Sequence, residues 1–183
     1  FCVFDRPILD VRGAVLGIFG NGDIGAEVAR LARALGLEVL LAEHRNRTEV
    51  RDGYTRFENV IASADILSLH CPLTPATRSM IGEAEIANMK PGALLINTAR
   101  GPLINEDAVI DGLSRGQLGG AALDVLVAEP PTGQEPLLQL DHPNLIITPH
   151  VGWAAQDGLS RLAAGLLANL EAYYSGQPIN VVS

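Results

Sequence analysis

The sequence predicts an α/β fold, a three-layer doubly wound parallel sheet with helices on both faces. Three observations lead there. Short apolar runs alternate with amphipathic runs along the chain. The apolar runs lack polar alternation, so each strand is buried on both faces, as in a parallel sheet sandwiched between helices. A glycine-rich stretch, Gly20-Asn21-Gly22-Asp23-Ile24-Gly25, joins the first strand to the first helix with the spacing G-x-G-x-x-G.

The elements follow in order. Residues 14–20 (AVLGIFG) read as a buried strand. Residues 23–35 read as a helix with Ile24, Val28, Leu31, Ala32 and Leu35 on one face, and Gly36 stands where a helix ends in the left-handed conformation. Residues 38–43 form a second strand. Residues 44–58 are polar and weakly patterned, a connection with one weak strand near Phe57, and residues 59–64 form a helical turn. Ile66, Leu67 and Leu69 mark a third strand, which ends at His70-Cys71-Pro72. Residues 82–89 are helical and stop at Lys90-Pro91-Gly92, and residues 93–97 (ALLIN) form a strand. Residues 105–115 form a helix with Asn105 as its cap and Asp107 in its first turn. A strand at 119–125, a surface loop rich in Pro, Gln and Gly at 128–144 and a short strand at 145–148 come next. Residues 154–175 complete the pattern with an amphipathic helix, in which Leu159, Leu162, Ala163, Leu166, Leu167, Leu170 and Tyr173 recur at helical spacing. No repeat or linker interrupts this pattern, and one domain over 1–183 is expected.

Composition excludes several classes of function. Apolar residues make up 48% of the 183 and charged residues 19%, which excludes intrinsic disorder. A net charge of -8 repels phosphate backbones, so no nucleic-acid partner is expected. The apolar stretches are short and broken by Gly, Pro and charge, so no membrane association is expected. Two cysteines cannot build a disulfide framework, and a reducing, cytoplasmic setting is expected. No Cys/His cluster has metal-ligand spacing, and no Lys-Ser or Lys-Thr follows the glycines as in a P-loop. The chain opens FCVFDRPILD without an initiator Met and is read as an internal piece of a longer one.

The glycine stretch carries the clearest chemistry. Gly20 permits a tight turn, Gly22 lets a pyrophosphate approach the backbone, and Gly25 lets helix and strand pack closely. The helix N-terminus then offers N–H groups to the phosphates. This is the signature of a Rossmann-type dinucleotide site. Glu43, 18 residues beyond Gly25 at the end of the second strand, can accept hydrogen bonds from both ribose hydroxyls and repel a 2′-phosphate, which favours NAD over NADP. Arg45 and Arg47 could hold a phosphate instead if Glu43 turned away.

Ligands of a doubly wound sheet sit outside the carboxyl ends of the strands. The groups predicted there are His70-Cys71-Pro72, Asn97-Thr98-Ala99-Arg100-Gly101, Asp124 and Thr148-Pro149-His150. Arg100 suits bidentate binding of a substrate carboxylate. His150 suits proton transfer in an alcohol–ketone interconversion. Glu129, before Pro130-Pro131, could orient an imidazole. The residues alone leave a plainer role open for each: a loop arginine, a histidine bonded to a nearby carbonyl, and a solvated loop acid. His44 is expected to be exposed on the adenosine side and His142 to sit in a turn. Cys71, beside Pro72, is poorly placed to act as a nucleophile.

These segments, taken together, resemble the nucleotide-binding domain of the D-isomer-specific 2-hydroxyacid dehydrogenases, most closely its glycerate dehydrogenase or hydroxypyruvate reductase branch. The resemblance rests on Val11-Arg12-Gly13, LGIFGNGDIG at 16–25, LSLHCPLTPATRSMI at 67–81, NTARGPLINEDAV at 97–109, GAALDVLVAEPP at 120–131 and NLIITPHVGWA at 144–154. It implies that Arg100 binds the substrate carboxylate, that Glu129 pairs with the catalytic histidine, and that His150 is the acid/base. It reverses the plainer reading of Glu129. It further implies NAD as cofactor. Gly20, Gly22, Asp23, Ile24 and Gly25 would lie about the pyrophosphate, and Glu43 would be the ribose acid, usually aspartate in this family. Cys71, Pro72, Thr77, Thr98, Ala99 and Asp124 would be cofactor contacts, and Gly152 would lie near the carboxamide, with Trp153 the aromatic residue of the glycerate-type branch. The opening FCVFDRPILD resembles the end of an interdomain helix. The family carries a second, substrate-binding domain, built mainly from N-terminal sequence, which these 183 residues do not contain. A homodimer formed through this domain is also implied. Two other readings stay open, a dinucleotide-sensing module of the corepressor kind and a fragment inactive on its own.

Overall fold

The computed structural model describes residues 8–181; the first seven residues, most of the stretch likened to an interdomain helix end, lie outside them. The chain forms two compact units, divided between Thr148 and Pro149.

The first unit is a six-stranded, wholly parallel sheet in the order β2-β1-β3-β4-β5-β6. Its strands are β1 (Val15–Phe19), β2 (Glu38–Leu41), β3 (Ile66–Leu69), β4 (Ala93–Asn97), β5 (Leu118–Leu123) and β6 (Leu145–Ile147). Between them run the helices α1 (Asp23–Ala34), α2 (Phe57–Ser63), α3 (Glu83–Asn88) and α4 (Glu106–Ser114), and a single turn α5 (Pro136–Gln139). The chain leaves β1 for β2 on one side and returns to β3 on the other. The order therefore reverses at β1, and the crevice of a doubly wound sheet opens between the carboxyl ends of β1 and β3.

Strand alternation sorts the core into two layers. Leu16 and Ile18 of β1 face α1 and pack on Ala29 and Ala32. Phe19, Leu67, Leu69, Leu95 and Leu123 belong to the larger cluster shared with α2, α3 and α4. Each such buried side chain contributes about 1.5–3 kcal/mol relative to exposure. On β1, Gly17 is what admits α2, since a Cβ there would lie 2.6 Å from Val60 Cγ1. Asn105 caps α4 through its side chain, which accepts from Ala108 N at 3.0 Å.

The structure corrects three sequence expectations. The buried face of α1 is not Ile24, Leu31 and Leu35, which are exposed, but Gly25, Ala29 and Ala32. Small residues win there because the glycine loop draws α1 too close to the sheet for large side chains. Phe57 does not mark a strand. It opens α2 with its ring edge-on to Phe19, and the extended contact lies earlier, as a bridge between Ala42 and Thr55. The loop at 128–144 contains α5, pinned by the buried Leu137.

The second unit is dominated by α6 (Gln156–Tyr174), within the range the apolar periodicity predicts. Among the described residues no helix is long and apolar enough to cross a membrane.

The reassigned α1 face is open to test by urea unfolding. Gly25→Ala places a Cβ 2.0 Å from the Gly20 carbonyl oxygen, a backbone atom that cannot swing away, and should cost roughly 2–3 kcal/mol or more. Leu31→Ala, on the exposed face, should cost less than about 1 kcal/mol.

Candidate active site

The carboxyl ends of β1 and β3 meet through backbone. His70 N donates to Phe19 O at 2.7 Å. Gly20 has φ of 98°, and a Cβ there would lie 2.6 Å from Cys71 N and from the His70 carbonyl carbon. At Gly22 the geometry is the reverse. Its φ is -79°, which any residue adopts, and a Cβ would meet nothing within 4 Å. Gly22 is also the N-cap of α1 and has no side chain to cap it, which leaves the first N–H groups of the helix without an intrahelical partner. A cradle kept bare where the protein itself needs no glycine fits a pyrophosphate laid over the helix N-terminus. Asp23 is the first residue of α1.

Two cavities adjoin along Cys71-Pro72. One, of about 420 Å³, is lined by Gly20, Gly22, Glu43, His44, Pro72 and Thr77 among others. The other, of about 510 Å³, is lined by Ile24, His70, Cys71, Thr98, Ala99 and Arg100 among others. Most site residues expected from the sequence thus converge on these two cavities. Gly25 lines neither and acts through packing. Thr77 lines the first, but its hydroxyl holds the 72–77 turn, donating to Pro72 O at 2.7 Å and accepting from Thr74 N at 2.8 Å. Burial pushes the Cys71 thiol up from its ordinary pKa, which disfavours the thiolate, and its Sγ lies 3.6 Å from Met80 Sδ.

The turn bearing Arg100 is built by Asn97, which is fully buried at the end of β4. Its amide donates to Arg100 O at 2.9 Å and its oxygen accepts from Ala99 N at 3.1 Å. Arg100 is exposed, and its Nη1 donates to Ala99 O at 2.6 Å. Gly101 lets this turn abut the segment after β5, since a Cβ there would lie 2.0 Å from the Leu126 carbonyl. On that segment Glu129 accepts from Leu126 N at 3.0 Å, before a cis Glu129-Pro130 bond. Asp124 is buried directly after β5, and its backbone N–H donates to Asn97 O at 2.9 Å. His150 and Gly152 belong to the second unit, where His150 is half-buried with φ of 52°, a left-handed conformation uncommon outside glycine.

Glu43 departs most from the sequence reading. Its carboxylate is buried and turned inward. Arg51 forks it, Nε to Oε2 and Nη2 to Oε1, both at 2.8 Å. Backbone N–H groups of His44 and Arg51 add bonds of 2.8 and 3.1 Å, and Arg47 Nη1 stands 3.5 Å away. The Arg51 fork, joined by those two N–H bonds against the opposing effect of burial, holds the Glu43 carboxyl far below the usual carboxylate range. Arg45 is engaged as well. It pairs with Glu85 at 2.6 Å, donates to Met80 O at 2.7 Å and lies 4.4 Å over the Phe57 ring.

Sequence reasoning missed Arg51, and it placed Asn97 among the strand-end residues without giving it a role. Nothing local marks Arg51, eight residues past its partner in a polar loop. Asn97 left one signal, a polar residue closing an otherwise apolar strand. His70 stood among the strand ends without a role. Its Nε2 lies 2.9 Å from Ser68 Oγ, and burial lowers its pKa, which keeps the ring neutral between the two cavities. Among the described residues no cluster of His, Cys, Asp and Glu could hold a metal.

Two outcomes follow. Gly22→Val should leave the fold intact by circular dichroism and abolish NADH binding by calorimetry, because only the ligand needs that space. Glu43 has its pKa depressed on folding, so its stabilising effect is complete above about pH 5 and is lost as pH falls through the acid range. Urea unfolding at pH 7 and pH 3 should show a loss on acidification that is smaller in Arg51→Gln.

Comparison with known proteins agrees with this geometry. Residues 4–152 match the family described as D-isomer specific 2-hydroxyacid dehydrogenase, NAD binding domain. Glycerate dehydrogenase of Methylorubrum extorquens is 44% identical over 182 residues, covering 100% of this chain and 57% of its own. Hydroxypyruvate reductase of Blautia hydrogenotrophica is 37% identical over 186 residues, again with 100% and 57% covered. The NAD-complexed D-isomer specific 2-hydroxyacid dehydrogenase of Lactobacillus delbrueckii ssp. bulgaricus superposes with a TM-score of 0.82 at 32% identity, over 96% of this chain and 57% of that one. The chain thus spans little more than half the length of these relatives. Its match over 149 consecutive residues, carried on a parallel sheet with the glycine cradle at the switch point, makes it a member of the D-isomer specific 2-hydroxyacid dehydrogenase family, an NAD-dependent dehydrogenase family of which it holds the NAD-binding domain.

Proposed function

We propose that the complete enzyme interconverts 2-keto acids and D-2-hydroxy acids, with hydroxypyruvate and glycerate as the pair. The observation that carries this reading is that exposed Arg100 lines the same cavity as Ile24 of the glycine loop. A guanidinium beside a dinucleotide cradle is the anchor a small carboxylate substrate needs. The glycerate and hydroxypyruvate relatives support the substrate pair.

In this reading NAD, when bound, supplies the hydride chemistry. Gly20, Gly22, Asp23, Ile24 and the α1 N-terminus hold its pyrophosphate, with Gly25 securing the helix. Cys71, Pro72 and Thr77 flank it on the adenosine side. Thr98, Ala99, Asp124 and Gly152 serve the nicotinamide end. Arg100 fixes the substrate carboxylate. His150, with Glu129 as its partner, gives a proton to the keto oxygen in reduction and takes the hydroxyl proton in oxidation. The second domain closes over the substrate and excludes water. The setting is cytoplasmic, and the assembly is a homodimer through this domain, where Val127 and Leu138 leave apolar surface exposed around the 128–144 segment.

Steady-state kinetics of the complete enzyme provide the test. His150→Ala should lower kcat by at least about 10³-fold with NADH affinity nearly unchanged. Arg100→Ala should raise KM for hydroxypyruvate as well as lower kcat. The 183-residue chain alone should bind NADH with negligible turnover. Turnover by this chain would refute the need for a second domain, and full activity in the His150 variant would remove its proton-transfer role. Light scattering should give twice the 19.3 kDa chain mass, and a monomer at micromolar concentration would refute the dimer.

A further inference from the structure

In the proposed reaction Glu129 must hold its carboxylate in one place, yet it stands on a segment with no regular structure. Residues 124–135, between β5 and α5, are irregular. Backbone groups of such a segment find their partners on other elements or on side chains. Leu126 N donates to Glu129 Oε1 at 3.0 Å, so the position of the carboxylate follows that of the Leu126 amide. What fixes residues 126 and 127 therefore fixes Glu129.

Two contacts locate the Leu126–Val127 peptide, and both come from the stretch that follows Arg100. Gly101 abuts it, since a Cβ there would lie 2.0 Å from the Leu126 carbonyl carbon and 2.5 Å from Val127 N. Glu106 Oε1 accepts from Val127 N at 2.8 Å, across 21 positions of sequence. The close approach of Gly101 gives the peptide a place, and the hydrogen bond gives it a direction. Val125 and Leu126 are buried whereas Val127 is exposed, so the Glu106 bond acts where burial stops holding the segment. Glu106 is itself half-buried and is the first residue of α4. That helix is fixed at its start by the Asn105 cap and along its length by buried Val109 and Leu113. The Glu106 side chain is thus a strut from a rigid helix to an irregular segment. Its neighbour Asp107, in the same first turn, is exposed and serves only the helix end.

We infer that Glu106 is a positioning residue for the reaction: through Val127 N it fixes the 126–129 turn, and with it the Glu129 carboxylate, against the stretch that carries Arg100. One side chain thereby ties the segment that anchors the substrate to the segment that serves the proton-transfer histidine. The inference rests on Glu129 acting as the partner of His150.

The test is steady-state kinetics of the complete enzyme with hydroxypyruvate and NADH, on variants shown to be folded by circular dichroism. Glu106→Ala should lower kcat roughly ten- to hundredfold, the cost of a misplaced group near the reacting atoms. KM should stay nearly unchanged, because Asn97 still holds the Arg100 turn. Glu106→Gln keeps an oxygen that accepts from Val127 N and should retain nearly full kcat. Glu106→Asp keeps the first-turn charge but is shorter by a methylene, so it should be slowed as well, and it serves if Glu106→Ala fails to fold. Asp107→Ala removes the other first-turn acid and should leave kcat unchanged. The double variant Glu106→Ala/Glu129→Ala should be no slower than Glu129→Ala alone, since Glu106 acts only through Glu129. Wild-type kcat in folded Glu106→Ala or Glu106→Asp overturns the inference. So does a Gln variant as slow as the Ala variant, an equal loss in Asp107→Ala, or losses that multiply in the double variant. A rise in KM without loss of kcat places the effect at Arg100 and overturns it too. If Glu129→Ala keeps full kcat, the role of Glu129 falls first and this inference with it.

Discussion

The backbone contact at the carboxyl end of β1 is the constraint on which the rest depends. There the first turn after the strand, the end of β3 and the first turn of α1 come together with no space for a side chain. Gly20 would strike the Cys71 backbone, and Gly25 would strike Gly20. This closeness draws α1 onto the sheet, which restricts its inner face to Gly25, Ala29 and Ala32 and leaves its leucines outside. It also brings the α1 N-terminus level with the strand ends, where an anion can meet several N–H groups at once. The glycines thus act at two levels. Gly20 and Gly25 serve the packing of the protein, whereas nothing in the protein itself crowds Gly22.

Around that contact the strand-end residues are positioned by polar groups that bond within the protein, one buried (Asn97) and one half-buried (Thr77). Asn97 folds the 97–100 turn, and the Thr77 hydroxyl folds the 72–77 turn. Both groups use their hydrogen bonds internally, which fixes backbone next to the cavities. Arg100 remains exposed on this turn, lining the cavity it shares with Ile24. The division of labour is physical: satisfied buried groups hold shape, and exposed charged groups act on ligands.

The loop after β2 shows how a single charge pair can redirect a site. Glu43 is the one acid at the position where sequence reasoning looks for ribose recognition, yet its oxygens are committed to Arg51 and to two backbone amides. Arg45, named beside it as a possible phosphate ligand, is committed to Glu85 and Met80. Arg47 is more exposed than Arg45 or Arg51 and only loosely paired with Glu43.

Much of this protein was legible in its sequence. Unbroken apolar runs specified parallel strands because a strand covered on both faces has no polar side to show, and the six strands they marked are present, in a sheet whose glycine loop opens α1, while the weak strand expected near Phe57 is not. Asn105 and Gly36 bounded helices by backbone chemistry that is local and therefore readable. Residue types at the strand ends announced a dinucleotide site because those ends converge in any doubly wound sheet. What only the tertiary structure decided was direction and partnership. Which face of α1 is buried depends on how near the sheet lies, and periodicity marks a face without measuring that distance. Phe57 opens a helix whose packing sets its ring edge-on to Phe19 in the core, a contact 38 positions away. Glu43 turned inward because Arg51, in a loop with no pattern of its own, folds back upon it. Charge pairing acts through space, and no spacing along the chain encodes which of several arginines will reach a given acid.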